Sequence, residues 1–304
     1  MDDYHKSVFL TEIIDLLQIK KGNKYIDATL GGGGHTLEIL KRGGHVLGID
    51  LDDDALEHVR KQWEQISSDL DINQKNLTLA KGNFKNLAEI ARLNKFTDIS
   101  GVVYDLGVSS HQIDEPERGF SFLKQGPLDM RMDTENPVKA SDLVNILAKG
   151  ELYDIIFNLG QERRARSISD SIIRARRIRP VQTTQDLTEI IQEGYGIRKG
   201  EISAFAKANI SKRTFQALRM AVNSELENLD QTLPQGLGIL GKGGRILTIT
   251  FHSLEDRIVK FAFKDFAEKN LGRIITKKPL MPTEKEMNEN SRSRSAKLRV
   301  FEKN

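Results

Sequence analysis

Three aspartates and a run of glycines are spaced so that they could serve one ligand. Four consecutive glycines, Gly31 to Gly34, stand in "YIDATLGGGGH" (25–35), shortly after Asp27. Asp50 closes "HVLGID" and Asp105 closes "ISGVVYD". A glycine-rich turn after a strand lets backbone N–H groups approach a ligand with no Cβ in the way. Phosphate cradles of the G-x-x-x-x-G-K-[ST] type are excluded, because no Lys-Ser or Lys-Thr follows these glycines. The dinucleotide pattern G-x-G-x-x-G starts at Gly31 or Gly32 and fails where its third glycine falls on Thr36 or Leu37.

An adenosine ligand without a pyrophosphate remains, and S-adenosylmethionine is the leading candidate. Asp50 lies nineteen residues after Gly31, near the roughly 20-residue spacing at which an acid reaches ribose hydroxyls. A carboxylate there accepts hydroxyl hydrogen bonds, and Asp27 can face the cationic end of such a ligand. The plainer alternatives are a tight turn and a solvated strand end. Asp105 ends the fourth strand, where a methyl acceptor would meet the cofactor. An exocyclic base amine is a poor nucleophile because its lone pair is delocalised into the ring. A carboxylate accepting its N–H favours a localised lone pair. That is positioning work and needs neither a metal nor a covalent intermediate, but an acid here can also simply cap the next turn.

The elements that must hold these residues form an α/β pattern. Near-continuous apolar strands at 24–30, 45–50, 76–82 and 99–108 alternate with helical patterns near 36–42, 53–67 and 84–94, the mark of a parallel, doubly wound sheet. An amphipathic helix over 7–19 precedes them. Residues 109–137 read as an ordered loop. Helices follow at 139–149, 151–160, 163–178 and 183–193, the last capped by Thr183 with Asp186. A long helix over about 212–231 leads to a strand at 241–253, a helix over 254–270 and short strands near 273–276 and 297–302. The expected organisation is a discontinuous α/β domain, 1–108 and 212–304, interrupted by a helical insertion, 109–211. The segment 277–296 reads as a mobile loop, and Ser253 as a helix cap.

Composition narrows the function classes. The chain has 304 residues, 38% hydrophobic and 29% charged, with a net charge of +3 and no cysteine. Disulfides, thiolate metal sites and cysteine nucleophiles are thereby excluded, which suits a reducing compartment. No stretch reads as a signal peptide or a membrane span, so a soluble, cytoplasmic protein is expected. Because the net charge is small, any nucleic-acid surface must come from local clustering. "RRARSISDSIIRARRIR" (163–179) holds seven arginines against one aspartate, a local charge of +6. This is expected to contact RNA through Arg163, Arg164, Arg166, Arg174, Arg176 and Arg177. Arg292, Arg294 and Arg299 form a second basic stretch, and a solvated, self-paired face is the alternative for both.

With these motifs in view, the chain closely resembles the bacterial 16S rRNA cytosine-N4 methyltransferases, the ribosomal RNA small subunit methyltransferase H (MraW) family. The resemblance runs nearly end to end. It is carried by "YIDATLGGGGH" (25–35), "GIDLDDDAL" (48–56), "DLGVSSHQIDEPERGFSFLKQGPLDMRMD" (105–133), "RTFQALRMAVNSEL" (213–226), "GGRILTITFHSLEDRIVK" (243–260) and "NSRSRSAKLR" (290–299). It implies a Rossmann-like, class I S-adenosylmethionine-dependent methyltransferase sheet with an inserted helical domain. The implied reaction is methylation of N4 of a cytidine in the decoding region of 16S rRNA, by in-line transfer without a covalent enzyme intermediate. The implied cofactor contacts are Gly33, Gly34, His35, Asp50, Phe84, Asp105 and Gln112, and Asp105 is also the candidate catalytic residue.

The implied partner is 16S rRNA, within the 30S subunit or a late assembly particle, and a homodimer is compatible with this reading. One departure from amino-methyltransferases of DNA is that Asp105-Leu106-Gly107-Val108 brings no aromatic residue to stack the target base. Phe120 and Phe122 can either supply that ring or anchor their loop. His252 can border the site. The competing readings are amino-methylation of DNA or another RNA, an RNA-binding assembly factor without turnover, and a nicotinamide-dependent reductase.

Overall fold

The computed structural model describes residues 7–198 and 201–304. The chain divides into two compact units, Met1–Ser109 with Leu226–Asn304, and Ser110–Glu225. The first unit carries the sheet. In chain order it contains α1 (Leu10–Leu17), β1 (Lys24–Asp27), α2 (Gly34–Lys41), β2 (His45–Asp50), α3 (Asp53–Asp69), β3 (Leu77–Lys81), α4 (Leu87–Leu93) and β4 (Ile99–Asp105). The second unit follows, with α5 (Ser110–Asp114), α6 (Ala140–Ile146), α7 (Lys149–Asp154), α8 (Ala165–Ile178), α9 (Thr184–Gly194) and α10 (Ala204–Asn223). The chain then returns through α11 (Glu225–Ile239), β5 (Leu240–Thr250), α12 (Ser253–Glu268), β6 (Gly272–Ile274), α13 (Glu284–Glu289) and β7 (Lys297–Lys303).

The strand order is β3-β2-β1-β4-β5-β7-β6. Strands β1 to β5 are parallel, while β7 runs antiparallel between β5 and β6. Both faces of the sheet are buried, which explains the continuous apolar runs. Tyr25, Val103, Leu247 and Leu298 pack with α1, α2 and α3, around Ile13, Leu40 and Trp63. Their strand neighbours Ile26, Val102, Ile246 and Phe301 pack with α4, α11 and α12, around Leu87, Leu233 and Phe263. The alternation of side chains along each strand thus feeds two cores from one run of residues. This is the expected doubly wound, Rossmann-like class.

Several expectations are corrected in detail. The second unit runs to Glu225 rather than ending at 211, because α10 continues unbroken to Asn223 and stops only where Ser224 adopts φ 49°. The long helix expected over 212–231 is therefore two, since a left-handed residue cannot continue an α-helix. Within the expected loop 109–137, α5 and a 3-10 turn at Pro116–Arg118 form. The segment 277–296 is not a structureless loop. It holds α13, capped by Thr283, and a 3-10 turn at Ser291–Ser295. Glu286 Oε1 there accepts the Phe9 N–H at 2.7 Å. The Thr183–Asp186 capping box forms as expected.

One ion-pair cluster joins the far side of the sheet to α1. Arg245 donates to Glu302 Oε2 through Nε (2.8 Å) and Nη2 (2.7 Å), and through Nη1 to the Leu16 carbonyl (2.6 Å). Arg245 is buried, and Arg273 holds the other Glu302 oxygen at 2.9 Å. Replacing Arg245 by Met leaves a buried carbonyl and half a carboxylate unpaired. Arg245→Met is expected to lower stability by about 2–4 kcal/mol, read from the urea unfolding midpoint. A loss below about 1 kcal/mol would show that Arg273 alone satisfies Glu302.

Candidate active site

Order reversal places the candidate site where β1 lies between β2 and β4. Ligands of open α/β sheets bind in this crevice, outside the carboxyl ends of the strands. Asp27, Asp50 and Asp105 each end one of these three strands. Beyond Asp27 the chain keeps the ladder for a few residues, with Ala28 N bonded to Val103 O and Leu30 N to Ile49 O, both at 2.9 Å. It then turns through Gly31 (φ 48°) and Gly33 (φ 74°), both in the left-handed region that favours glycine. At Gly34, a Cβ would lie against Ser7 Oγ, so the backbone here has no room for a side chain.

The three carboxyl groups are fixed by different partners. Asp50 accepts the Gly31 N–H at 2.8 Å and the Asp52 N–H at 3.0 Å, one on each oxygen. Each oxygen keeps a lone pair for a further donor. Asp27 is fully enclosed, accepting Thr36 Oγ1–H at 2.7 Å and the Thr29 N–H at 3.4 Å. Thr29 Oγ1 in turn accepts the Asp105 N–H at 2.6 Å. Asp105 Oδ1 is buried and has no hydrogen-bond partner among the described residues, while Oδ2 lies 4.0 Å from His35 Nδ1.

Burial raises all three. Burial pushes Asp27 up to about 6 against its Thr36 bond, and pushes Asp50 up to about 6 against the Asp52 and Gly31 amides. Asp105 rises to about 8, through burial first and then the charges of Asp27 and Glu255. His35 goes the other way: burial lowers its ring to about 4, although Nε2 meets the Val8 carbonyl at 3.1 Å. A site with three raised carboxyls and a neutral histidine favours a cation.

The remaining expected residues fall in distinct places. Phe84 is half-buried after β3, edge-on to Tyr104 with ring centroids 6.2 Å apart, and its carbonyl accepts Thr232 Oγ1–H. Gln112 lies on α5, in the second unit, and is buried. Phe120 is buried there too, and Phe122 packs edge-on against Phe215 at 5.7 Å, so both rings serve as loop anchors. His252, rather than Ser253, caps α12: its Nδ1 accepts the Glu255 N–H at 3.4 Å. Glu255 is buried and accepts the Phe251 N–H at 2.8 Å. Sequence reasoning missed the part played by Thr29 and Thr36, although both flank the glycines. Glu255, in the first turn of α12, also bears on Asp105 by its charge.

Among the arginines, Arg163, Arg166 and Arg177 are exposed and make no ion pair among the described residues. Arg174 pairs with Glu193 at 2.6 Å and Arg164 lies over the Tyr195 ring at 5.9 Å. Arg176 donates to the Val144 and Leu147 carbonyls, at the end of α6. Arg299 is buried against Asp256 at 2.7 Å, which removes it from the second basic stretch.

The model of the MraW methylase family matches residues 2–304. Curated proteins named ribosomal RNA small subunit methyltransferase H align over nearly their full length. The one from Carboxydothermus hydrogenoformans is 42% identical, covering 100% of this chain and 99% of its own. That from Brevibacillus brevis is 40% identical over 99% and 98%, and that from Oenococcus oeni 41% over 99% and 99%. A solved rRNA methylase from Streptococcus thermophilus is 12% identical with a TM-score of 0.45, over 98% of this chain and 97% of that one, too distant to place side chains. The chain belongs to the MraW methylase family and is a methyltransferase. Its cofactor is S-adenosylmethionine.

The residues present fit that cofactor. Two left-handed glycines expose backbone, Asp50 retains acceptor capacity on both oxygens, and a buried, unpaired Asp105 oxygen sits among carboxyls that favour positive charge.

The raised Asp105 has a consequence for the cofactor-free protein. Its carboxyl is protonated when folded and ionised when unfolded between about pH 4 and pH 8, so the stability it contributes is lost as pH rises through that window. Asp105→Asn removes this loss. The melting temperature of the variant relative to wild type is expected to be higher at pH 8 than at pH 5; an equal difference at both would show that the Asp105 carboxyl is not raised.

Proposed function

We propose that this methyltransferase modifies N4 of a cytidine in the decoding region of 16S rRNA, in the cytoplasm, on the small subunit or a late assembly particle. The relatives are named as methyltransferases of small-subunit ribosomal RNA, and the chain is accordingly an rRNA methyltransferase dependent on S-adenosylmethionine. Among the described residues no helix is long and apolar enough to cross a membrane. The observation that carries the finer reading is the buried Asp105 Oδ1, an unpaired acceptor at the strand end where an amine would be presented.

When bound, the cofactor supplies a methyl group on a cationic sulfonium. Gly33, Gly34 and His35 border it, Asp50 receives ribose hydroxyls, and Phe84 completes its surroundings within the first unit in this reading. Asp105 accepts an N–H of the target amine, which draws the nitrogen lone pair out of conjugation and aligns it for in-line attack. Asp105 also takes the proton that the nitrogen sheds once it is methylated. No covalent enzyme intermediate is required. Burial first, and then the charges of Asp27 and Glu255, keep that carboxyl basic enough for the task.

The second unit, with α8 as its basic face, is read as the RNA-recognition domain. Its arginines divide between architecture and surface. Arg176 secures α6 and Arg174 secures α9, while Arg163, Arg166 and Arg177 remain available to phosphates. A base acted upon must leave its stack, and backbone contacts on either side hold the strand while it does.

Two measurements test this. Labelled S-adenosylmethionine is supplied with 30S subunits, naked 16S rRNA or duplex DNA from a host lacking the enzyme, and the products are digested to nucleosides. N4-methylcytidine from an RNA substrate is expected; label in another nucleoside, or only in DNA, refutes the assignment. Separately, Arg163→Glu with Arg166→Glu should weaken RNA binding at least about tenfold and reduce the salt slope by about one per arginine removed. Cofactor affinity should be unchanged. Unaltered RNA affinity would remove α8 from the interface.

A further inference from the structure

Beside the exposed arginines of α8, the second unit carries an aromatic surface whose chemistry suits a nucleic-acid base. Resting on the reading of this unit as the RNA-recognition domain, we propose that Tyr153 and Phe157 form a stacking platform for an unpaired base of the substrate RNA. The two rings lie parallel within 10°, with centroids 5.4 Å apart, the offset arrangement that aromatic pairs prefer. Phe157 leaves 48% of its surface exposed, although Ile156 beside it is fully buried. A single exposed apolar residue is ordinary on a protein surface. A stacked pair differs, because it holds flat π faces in a fixed orientation, and every base has a face to match.

The backbone under the pair is firmly held. After α7 the helix widens into a π turn, Ile155–Leu159, a form that is rare and recurs at functional sites. The end of this turn packs on α10: a Cβ on Gly160 would meet the Arg213 carbonyl oxygen at 2.7 Å, and Arg213 Nη1 donates to the Gln161 carbonyl at 3.4 Å. The chain then folds back, with the Glu162 N–H donating to the Ile156 carbonyl at 3.4 Å. Lys149, at the start of α7, pairs with Asp170 of α8, so the two segments run antiparallel. Single turns from that pair toward the fold-back reach Tyr153 and then Phe157 on one segment, and Arg166 and then Arg163 on the other. Lys149 offsets the charge of Asp170, while Arg163 and Arg166 are exposed and make no ion pair among the described residues. Rings that take a base thus run alongside cations that take phosphates, the combination by which proteins hold single-stranded RNA. A single strand uses both, whereas an apolar protein face would leave the guanidinium groups idle.

The test separates stacking from charge and from plain apolar contact. The full-length protein is titrated with a short, labelled single-stranded RNA of mixed sequence, and with the same strand carrying abasic sites in place of its bases. Phe157→Ala is expected to weaken binding of the intact strand roughly 5- to 100-fold, with an unchanged salt slope and a much smaller loss on the abasic strand. Phe157→Leu keeps apolar bulk without a π face, so it retains the fold even if Phe157→Ala does not, and it should lose nearly as much affinity. Tyr153→Phe keeps both rings and should bind as wild type does. Cofactor affinity and the melting temperature of Phe157→Leu should not move. Four results would overturn the proposal: no binding of the intact strand by wild type, Phe157→Leu binding it as tightly as wild type, an equal loss on intact and abasic strands, or a wild-type dimer that Phe157→Ala converts to monomer with RNA affinity unchanged. Arg163→Glu with Arg166→Glu, run alongside, distinguishes the two readings. If that variant also keeps full RNA affinity, the second unit is not the RNA face. If it binds weakly while Phe157→Leu binds normally, the arginines stand and the platform alone falls.

Discussion

Carboxyl groups crowded at the buried end of a parallel sheet repel one another, and much of the local structure serves to contain that repulsion. Asp27 is silenced by Thr36 and Thr29, and Asp50 is tied to the glycine turn through the Gly31 amide. Asp105 has its backbone held by Thr29 while one side-chain oxygen is left unmatched. Because burial keeps the local dielectric low, these groups respond strongly to any positive charge brought among them. A sulfonium cofactor is such a charge. A positive charge placed among these carboxyls would relieve the crowding and favour their ionised forms.

The second unit solves a different problem. A segment with seven arginines and one aspartate, four of the arginines within α8, would be hard to keep folded if all its charges pointed at one another. Some of the guanidinium groups are used as struts, capping carbonyls at the end of α6 or pairing with α9, and the rest are left on the surface. Arginine is suited to both tasks because its planar fork can serve carbonyls, carboxylates and phosphates alike.

The fold class was legible because the sheet is buried on both faces, so its strands read as unbroken apolar runs and its crossovers as 3.6-residue patterns. Gly31 to Gly34, Asp50 and Asp105 were legible because their spacing follows the repeat of the βαβ unit. The break at Ser224 was not, since a serine in the left-handed region carries no composition signal and the apolar periodicity continues across it. The order of residues 277–296 was hidden for a related reason: its anchor, the bond from Phe9 to Glu286, spans 277 residues of sequence. Thr29 and Thr36 looked like strand-end and helix residues until the turn folded them back onto Asp27 and Asp105. Local patterns reveal elements, whereas the partners of buried charges are set by tertiary approach.

The position of β7 has a consequence for how the molecule is made. This strand is the last of the seven in the chain, yet it lies inside the sheet between β5 and β6 rather than at an edge. During synthesis β5 emerges with one side unpaired and stays so until Lys297–Lys303 has left the ribosome. An unpaired apolar strand is a template for misassociation. The interval between the appearance of β5 and that of β7 is therefore the period in which this edge of the nascent sheet is most open to wrong pairing.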